Sequence, residues 1–149
     1  MSALFDDLKS IGDIEALVAA KIRESEVLEY KRADEIFSDR AKIELVKDVT
    51  GMANSLGGLI VYGVATDPKD KTCPFEIVPI NINNIETIDR VINAQVKPYI
   101  LGIRKCLIPE ADPRVLLVDI PESQDPPHQN LYDKKVLSPF RCRMSSNGA

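Results

Sequence analysis

The sequence contains no tryptophan, a single histidine (His128) and three cysteines (Cys73, Cys106 and Cys142). With no tryptophan and aromatic residues at 5%, the core has to be built from Ile, Val and Leu. The cysteines are odd in number and widely spaced, and no CxxC or Cys/His cluster accompanies them, which argues against a disulfide framework and against a structural zinc site. Long apolar runs and basic leaders are missing too. The first residues alternate acids with apolar groups (Phe5-Asp6-Asp7-Leu8, then Asp13-Ile14-Glu15), so neither a signal peptide nor a membrane span is expected, and the protein is read as cytoplasmic and thiol-reduced. Positive charge is also not in excess. Nineteen Lys and Arg stand against 23 Asp and Glu, for a net charge of -4, so the average field slows a polyanion and any nucleic-acid contact needs a local basic face.

What is present is an ordinary globular composition, 44% apolar and 28% charged over 149 residues, enough for one domain that buries about two-thirds of its unfolded surface. Ile14, Leu17, Val18 and Ile22 form a helical stripe over about Asp13 to Ile22, within an N-terminal helical segment of residues 1–22. Val27 to Arg32 alternates, with Leu28 and Tyr30 on one face and Val27, Glu29 and Lys31 on the other, as in a short strand. From Ser38, a capping residue, Val46, Val49, Ala53 and Leu56 recur at helical spacing, predicting a helix over roughly Asp39 to Leu56. Gly57 suits the left-handed stop, and Leu59 to Val64 reads as a buried central strand. A polar loop over 67–71, a short strand over Phe75 to Pro79, a helix striped by Ile85, Ile88, Ile92 and Val96 that ends near Pro98, and strands at Ile103 to Ile108 and Val115 to Ile120 follow. Pro121 to Asn130 is expected as an extended surface loop with His128 exposed, ahead of weak strands at 135–137 and 140–144. The uncapped tail suggests a domain cut from a longer protein.

The chemistry-bearing residues form two groups. Gly57-Gly58 follows a helix and precedes a strand, the reverse of a phosphate-binding loop, so it is a helix stop and not an ATP site. Glu29 and Lys31 share a strand face. With Glu24 at the approach and Asp67 past the central strand, they are candidates for a magnesium or manganese site that activates water, with a solvated ion pair as the alternative. Lys31, Arg32, Lys134, Lys135, Arg141 and Arg143 are candidates for phosphate contacts.

Glu24-Ser25 with Glu29-Tyr30-Lys31, then Ala53-Asn54-Ser55-Leu56-Gly57-Gly58 running into Ile60-Val61-Tyr62-Gly63-Val64, resembles the Schlafen/AlbA-type (AlbA_2) domain family. Ile120-Pro121-Glu122-Ser123, Pro126 and Arg143 extend the likeness, although Ser145 stands where the family often has glycine. The resemblance implies an α+β domain with a mixed β-sheet flanked by helices over residues 23–149, a DNA-binding module of a bacterial or archaeal protein that partners DNA or RNA and forms a homo-oligomer or adjoins another domain. It also implies, through the nuclease activity of animal Schlafen proteins, a catalytic set in which Glu24 and Glu29 match two acids and Asp67 is the nearest residue for the third. An oligomerisation domain without catalysis is the remaining alternative.

Overall fold

Strand alternation sorts the apolar residues of this chain onto two faces of one sheet. The computed structural model describes residues 3–32, 38–80 and 85–132. Lys134, Lys135, Arg141, Arg143 and the strands expected after residue 134 lie outside them. The elements in chain order are α1 (Ala3–Asp7), α2 (Ile11–Ala19), β1 (Leu28–Lys31), α3 (Asp39–Ala53), β2 (Gly58–Tyr62), β3 (Val64–Asp67), β4 (Asp70–Ile77), α4 (Glu86–Gln95), β5 (Val96–Lys97), β6 (Arg104–Ile108), β7 (Val115–Ile120) and β8 (Gln129–Asn130).

The main sheet has the order β1-β2-β7-β6. β1 and β2 run parallel with α3 as their crossover, whereas β7 is antiparallel to both β2 and β6, so the sheet is mixed and the fold is α+β, as expected. Both central strands, β2 and β7, are buried at every position. Their period of two sends Ile60, Tyr62, Leu116, Val118 and Ile120 into one core with Val46, Val49 and Met52 of α3 and Ile88 and Ile92 of α4. The opposite face carries Leu59, Val61, Val115 and Leu117, packed with Leu28, Tyr30, Val64, and Ile14 and Leu17 of α2. Each fully buried aliphatic side chain contributes about 1.5–3 kcal/mol. Helices and the β3–β4 hairpin therefore sandwich the sheet.

The helices have local causes. Ser38 Oγ accepts the Ala41 N–H at 3.1 Å and starts α3. Ser10 and Asp13 form a capping box, which starts α2 at Ile11, two residues before the expected Asp13; Lys21, at φ 53°, lies just past its end. α3 ends at Ala53, short of Leu56, and the next residues form the turn into Gly57. α4 stops at Gln95, ahead of Pro98, as its proline predicts.

Two expectations are corrected. The apolar run Leu59 to Val64 is not one strand, because Gly63 at φ 107° turns the chain out of the main sheet and Val64 opens β3. The polar stretch at 67–71 is the tip of a hairpin: Asp67 pairs with Asp70 and its Oδ1 accepts the Lys69 N–H at 2.8 Å. The strand expected at Phe75 is the end of the longer β4.

The glycines make a test of opposite signs. A Cβ on Gly63 meets the Arg114 carbonyl oxygen at 2.5 Å, whereas one on Gly51, in α3, meets nothing within 4 Å. Gly63→Ala is expected to destabilise by about 2 kcal/mol or more through positive φ and backbone collision. Gly51→Ala is expected to stabilise by about 0.5–1 kcal/mol. Urea denaturation midpoints check both.

Candidate functional site

Strand β1 has its apolar residues, Leu28 and Tyr30, in the core on one side of the sheet, so the alternation turns Glu29 and Lys31 to the side of α3. On α3, Glu44 and Asp48 are four residues apart and share a helix face. The Lys31 ammonium is the meeting point: it lies 3.1 Å from Asp48, 3.5 Å from Glu29 and 3.7 Å from Glu44. Sequence reasoning found Glu29 and Lys31 but missed Glu44 and Asp48. The available signal was an acid pair at i and i+4, offset from the apolar stripe of the helix that follows β1.

One ammonium among three carboxylates leaves an excess of negative charge, and the titrations follow. Burial pushes Glu29 above the usual carboxylate range, reinforced by repulsion from Glu24 and Asp48 and opposed by Lys31. Burial likewise raises Asp48, against the pull of Lys31. For Lys31, burial favours the neutral form but is outweighed by Asp48, Glu29 and Glu44, so its pKa rises and the ammonium persists. Tyr62, paired with Lys31 in the β1–β2 register, is held protonated by burial and by these same acids.

The other candidate acids serve the backbone. The Glu24 N–H donates to the Thr72 carbonyl at 2.7 Å, and its Oε2 accepts the Tyr30 N–H at 2.9 Å, which ties the approach of β1 to β4. Asp67 holds the hairpin tip through Lys69. Glu24 lies close enough to repel Glu29, but Glu24, Glu29 and Asp67 do not converge as one set, and among the described residues no three Asp, Glu, His or Cys side chains form a group able to hold a metal ion. The residues present therefore do not fit the expected magnesium or manganese site. Arg32 follows β1 at the surface.

The proline-rich loop is corrected as well. His128, expected exposed, is 4% exposed. Its Nδ1 lies 2.6 Å from the Pro98 carbonyl and its Nε2 2.5 Å from Ser123 Oγ, so Nδ1 donates and Nε2 accepts the serine hydroxyl. Asn54, just past α3, accepts the His128 N–H at 2.7 Å and donates to its carbonyl at 3.0 Å, while the Ser123 N–H donates to the Ala53 carbonyl at 2.9 Å. Ser123 Oγ also accepts the Asp125 N–H at 3.0 Å. This clasp fastens the loop to the end of α3.

A sequence model described as Schlafen, AlbA_2 matches residues 24–145. No curated protein matches the chain significantly. Among solved structures, the DIP2311 protein of Corynebacterium diphtheriae is similar at TM-score 0.51 and 15% identity; the likeness covers 89% of this chain but 28% of that one. The N-terminal domain of a protein from Nitrosomonas europaea, whose name relates it to the ATP-dependent DNA helicase RecG, is similar at TM-score 0.50 and 21% identity, over 77% of this chain and 74% of that one. At these identities the likeness is one of fold.

Two outcomes test the geometry. Asn54→Ala strips both hydrogen bonds from the His128 backbone and is expected to cost about 2–4 kcal/mol in urea denaturation. A raised folded-state pKa means that protonated Glu29 favours folding below the unfolded value of 4.5, and that this contribution is lost as pH rises through the folded value. Glu29→Gln should therefore be more stable than the parent at neutral pH, by no more than about 1 kcal/mol, with the advantage shrinking as pH falls toward the unfolded value. Stability curves against pH for both proteins check the sign.

Proposed function

This chain belongs to the Schlafen, AlbA_2 family, and we propose that it is a nucleic-acid-binding domain that holds the DNA or RNA backbone by charge without reading much sequence. The observation that carries this reading is the family match, which runs from Glu24 through β2 and its flanking glycines to Ser145. The Nitrosomonas neighbour, related by name to a DNA helicase, agrees with it. Phosphate contacts are assigned to basic side chains outside the β1–α3 acidic cluster, because the charge of Lys31 is already matched by Asp48, Glu29 and Glu44. Arg32, Lys134, Lys135, Arg141 and Arg143 remain candidates for those contacts.

The second reading, metal-dependent cleavage by Glu24, Glu29, Lys31 and Asp67, has less support. Glu24 and Asp67 already serve backbone amides, at 2.9 and 2.8 Å, and Lys31 is surrounded by acids. Assembly with a second copy or an adjoining domain is compatible with backbone binding and is part of the proposal. The Corynebacterium neighbour carries a domain of this shape within a much longer chain.

Fluorescence anisotropy with labelled duplex DNA and with structured RNA, each across a salt series, tests the reading. Affinity is expected to fall linearly on a log–log plot with a slope of about 0.7–0.9 for each neutralised phosphate. Absent or salt-insensitive binding overturns it. Cleavage of the RNA that requires manganese and vanishes in Glu29→Ala would instead establish the nuclease.

A further inference from the structure

α3 separates its charges. Glu44 and Asp48 are turned to β1 and Lys31, while Lys42, two residues before Glu44, sits about 200° away around the helix at 3.6 residues per turn. On that other side lies a groove of about 280 Å³ between α3 and α4, lined by the polar Lys42, Thr87, Arg90, Gln95 and Tyr132 and by Val91 and Ala94. Among the described residues no acidic side chain lines it. Among the described residues neither Lys42 nor Arg90 has an ion-pair partner; Asp89, beside Arg90 in the chain, pairs with Lys105 at 2.7 Å and Glu44 pairs with Lys31, while Asp39 and Glu86 lie one helical turn before Lys42 and Arg90.

We propose that this α3–α4 groove is where the domain seats a phosphodiester backbone, with the Lys42 ammonium and the Arg90 guanidinium on successive phosphates and the Thr87 hydroxyl as a neutral donor to the same oxygens. The inference rests on the nucleic-acid reading above and deepens it by naming the surface. Charge complementarity chooses the occupant. Two cations of different shape, without an ion-pair partner among the described residues and in a groove that also offers hydroxyl and amide groups, suit an extended polyanion. Gln95 and Tyr132 add polar groups at the groove, and the contact proposed is with the phosphates, which every sequence presents alike.

The test compares full-length parent protein with Lys42→Ala, Arg90→Ala, the double variant, Arg90→Lys and a control, Lys69→Ala, at the exposed hairpin tip. Binding to labelled DNA and RNA is measured across a salt series after circular dichroism and thermal melting show that each variant is folded. Each groove substitution is expected to lower the log–log salt slope by about 0.7–0.9, and the double variant to bind roughly tenfold or more weakly at physiological salt. Arg90→Lys should keep the slope, as should Lys69→Ala. If the parent binds with the expected salt dependence and the double variant matches it, the groove is wrong and the nucleic-acid reading stands. If Lys69→Ala loses as much slope as the groove variants, the effect is one of net charge and the groove assignment falls. If the parent binds neither polymer, the nucleic-acid reading fails and the groove with it.

Discussion

Strand β2 is buried on both faces and hydrogen-bonded on both edges, and the remaining architecture is arranged to permit that. Its register with β1 on one side and β7 on the other fixes which residues point to each core. A one-residue slip would exchange Ile60 and Tyr62 for Leu59 and Val61 and present each face with side chains cut for the other. Glycines make the entry and exit possible. Gly57, at φ 76°, lies against the backbone of Ile120 and Glu122, where a Cβ would come within 2.7 Å of both. Gly63 passes similarly close to Arg114 before the chain leaves for the hairpin.

The acidic cluster follows from that register. Because β1 lies parallel to β2 and α3 is the crossover between them, the polar face of β1 must look at one flank of α3. Lysine on the strand and acids on the helix then meet in a partly buried setting, where Coulombic attraction is less screened than at an exposed pair but burial disfavours every charge. The directions of the titrations express this balance. Glu29 and Asp48 rise even though Lys31 is close, because one cation cannot compensate the desolvation and mutual repulsion of several carboxylates.

Local patterns carried the reading of the helices and strands well, because cap, stripe and alternation each report a near neighbour. Ser38, the Val46–Val49–Ala53 stripe and the alternation of Leu28 and Tyr30 predicted α3 and β1 closely. Contacts distant in sequence were not readable in the same way. Nothing around His128 announces that Asn54, 74 residues earlier, grips its backbone, and a proline-rich run looks exposed whether or not its last residues dock. The continuous apolar run through Val64 concealed a change of sheet, since hydrophobicity does not register a single positive φ at Gly63. In the candidate site, the strand residues were visible while their helical partners were not, because an acid pair on an amphipathic helix ordinarily faces water.

The same helix places repulsion and attraction for a polyanion on opposite flanks. Among exposed charges at physiological salt, influence decays over about 8 Å, so a phosphate beside Lys42 is screened from carboxylates across the body of a helix with a side-chain diameter of about 10–12 Å. A net charge of -4 is thereby compatible with a binding face, provided that the acids are gathered away from it. For the binding proposed above the consequence is orientational: an approaching strand would be turned away from the β1–α3 cluster and toward the α3–α4 groove. Lys31 contributes to this separation by its place in the fold, since without its ammonium the carboxylates around it would repel one another and project a stronger negative field from that flank of α3.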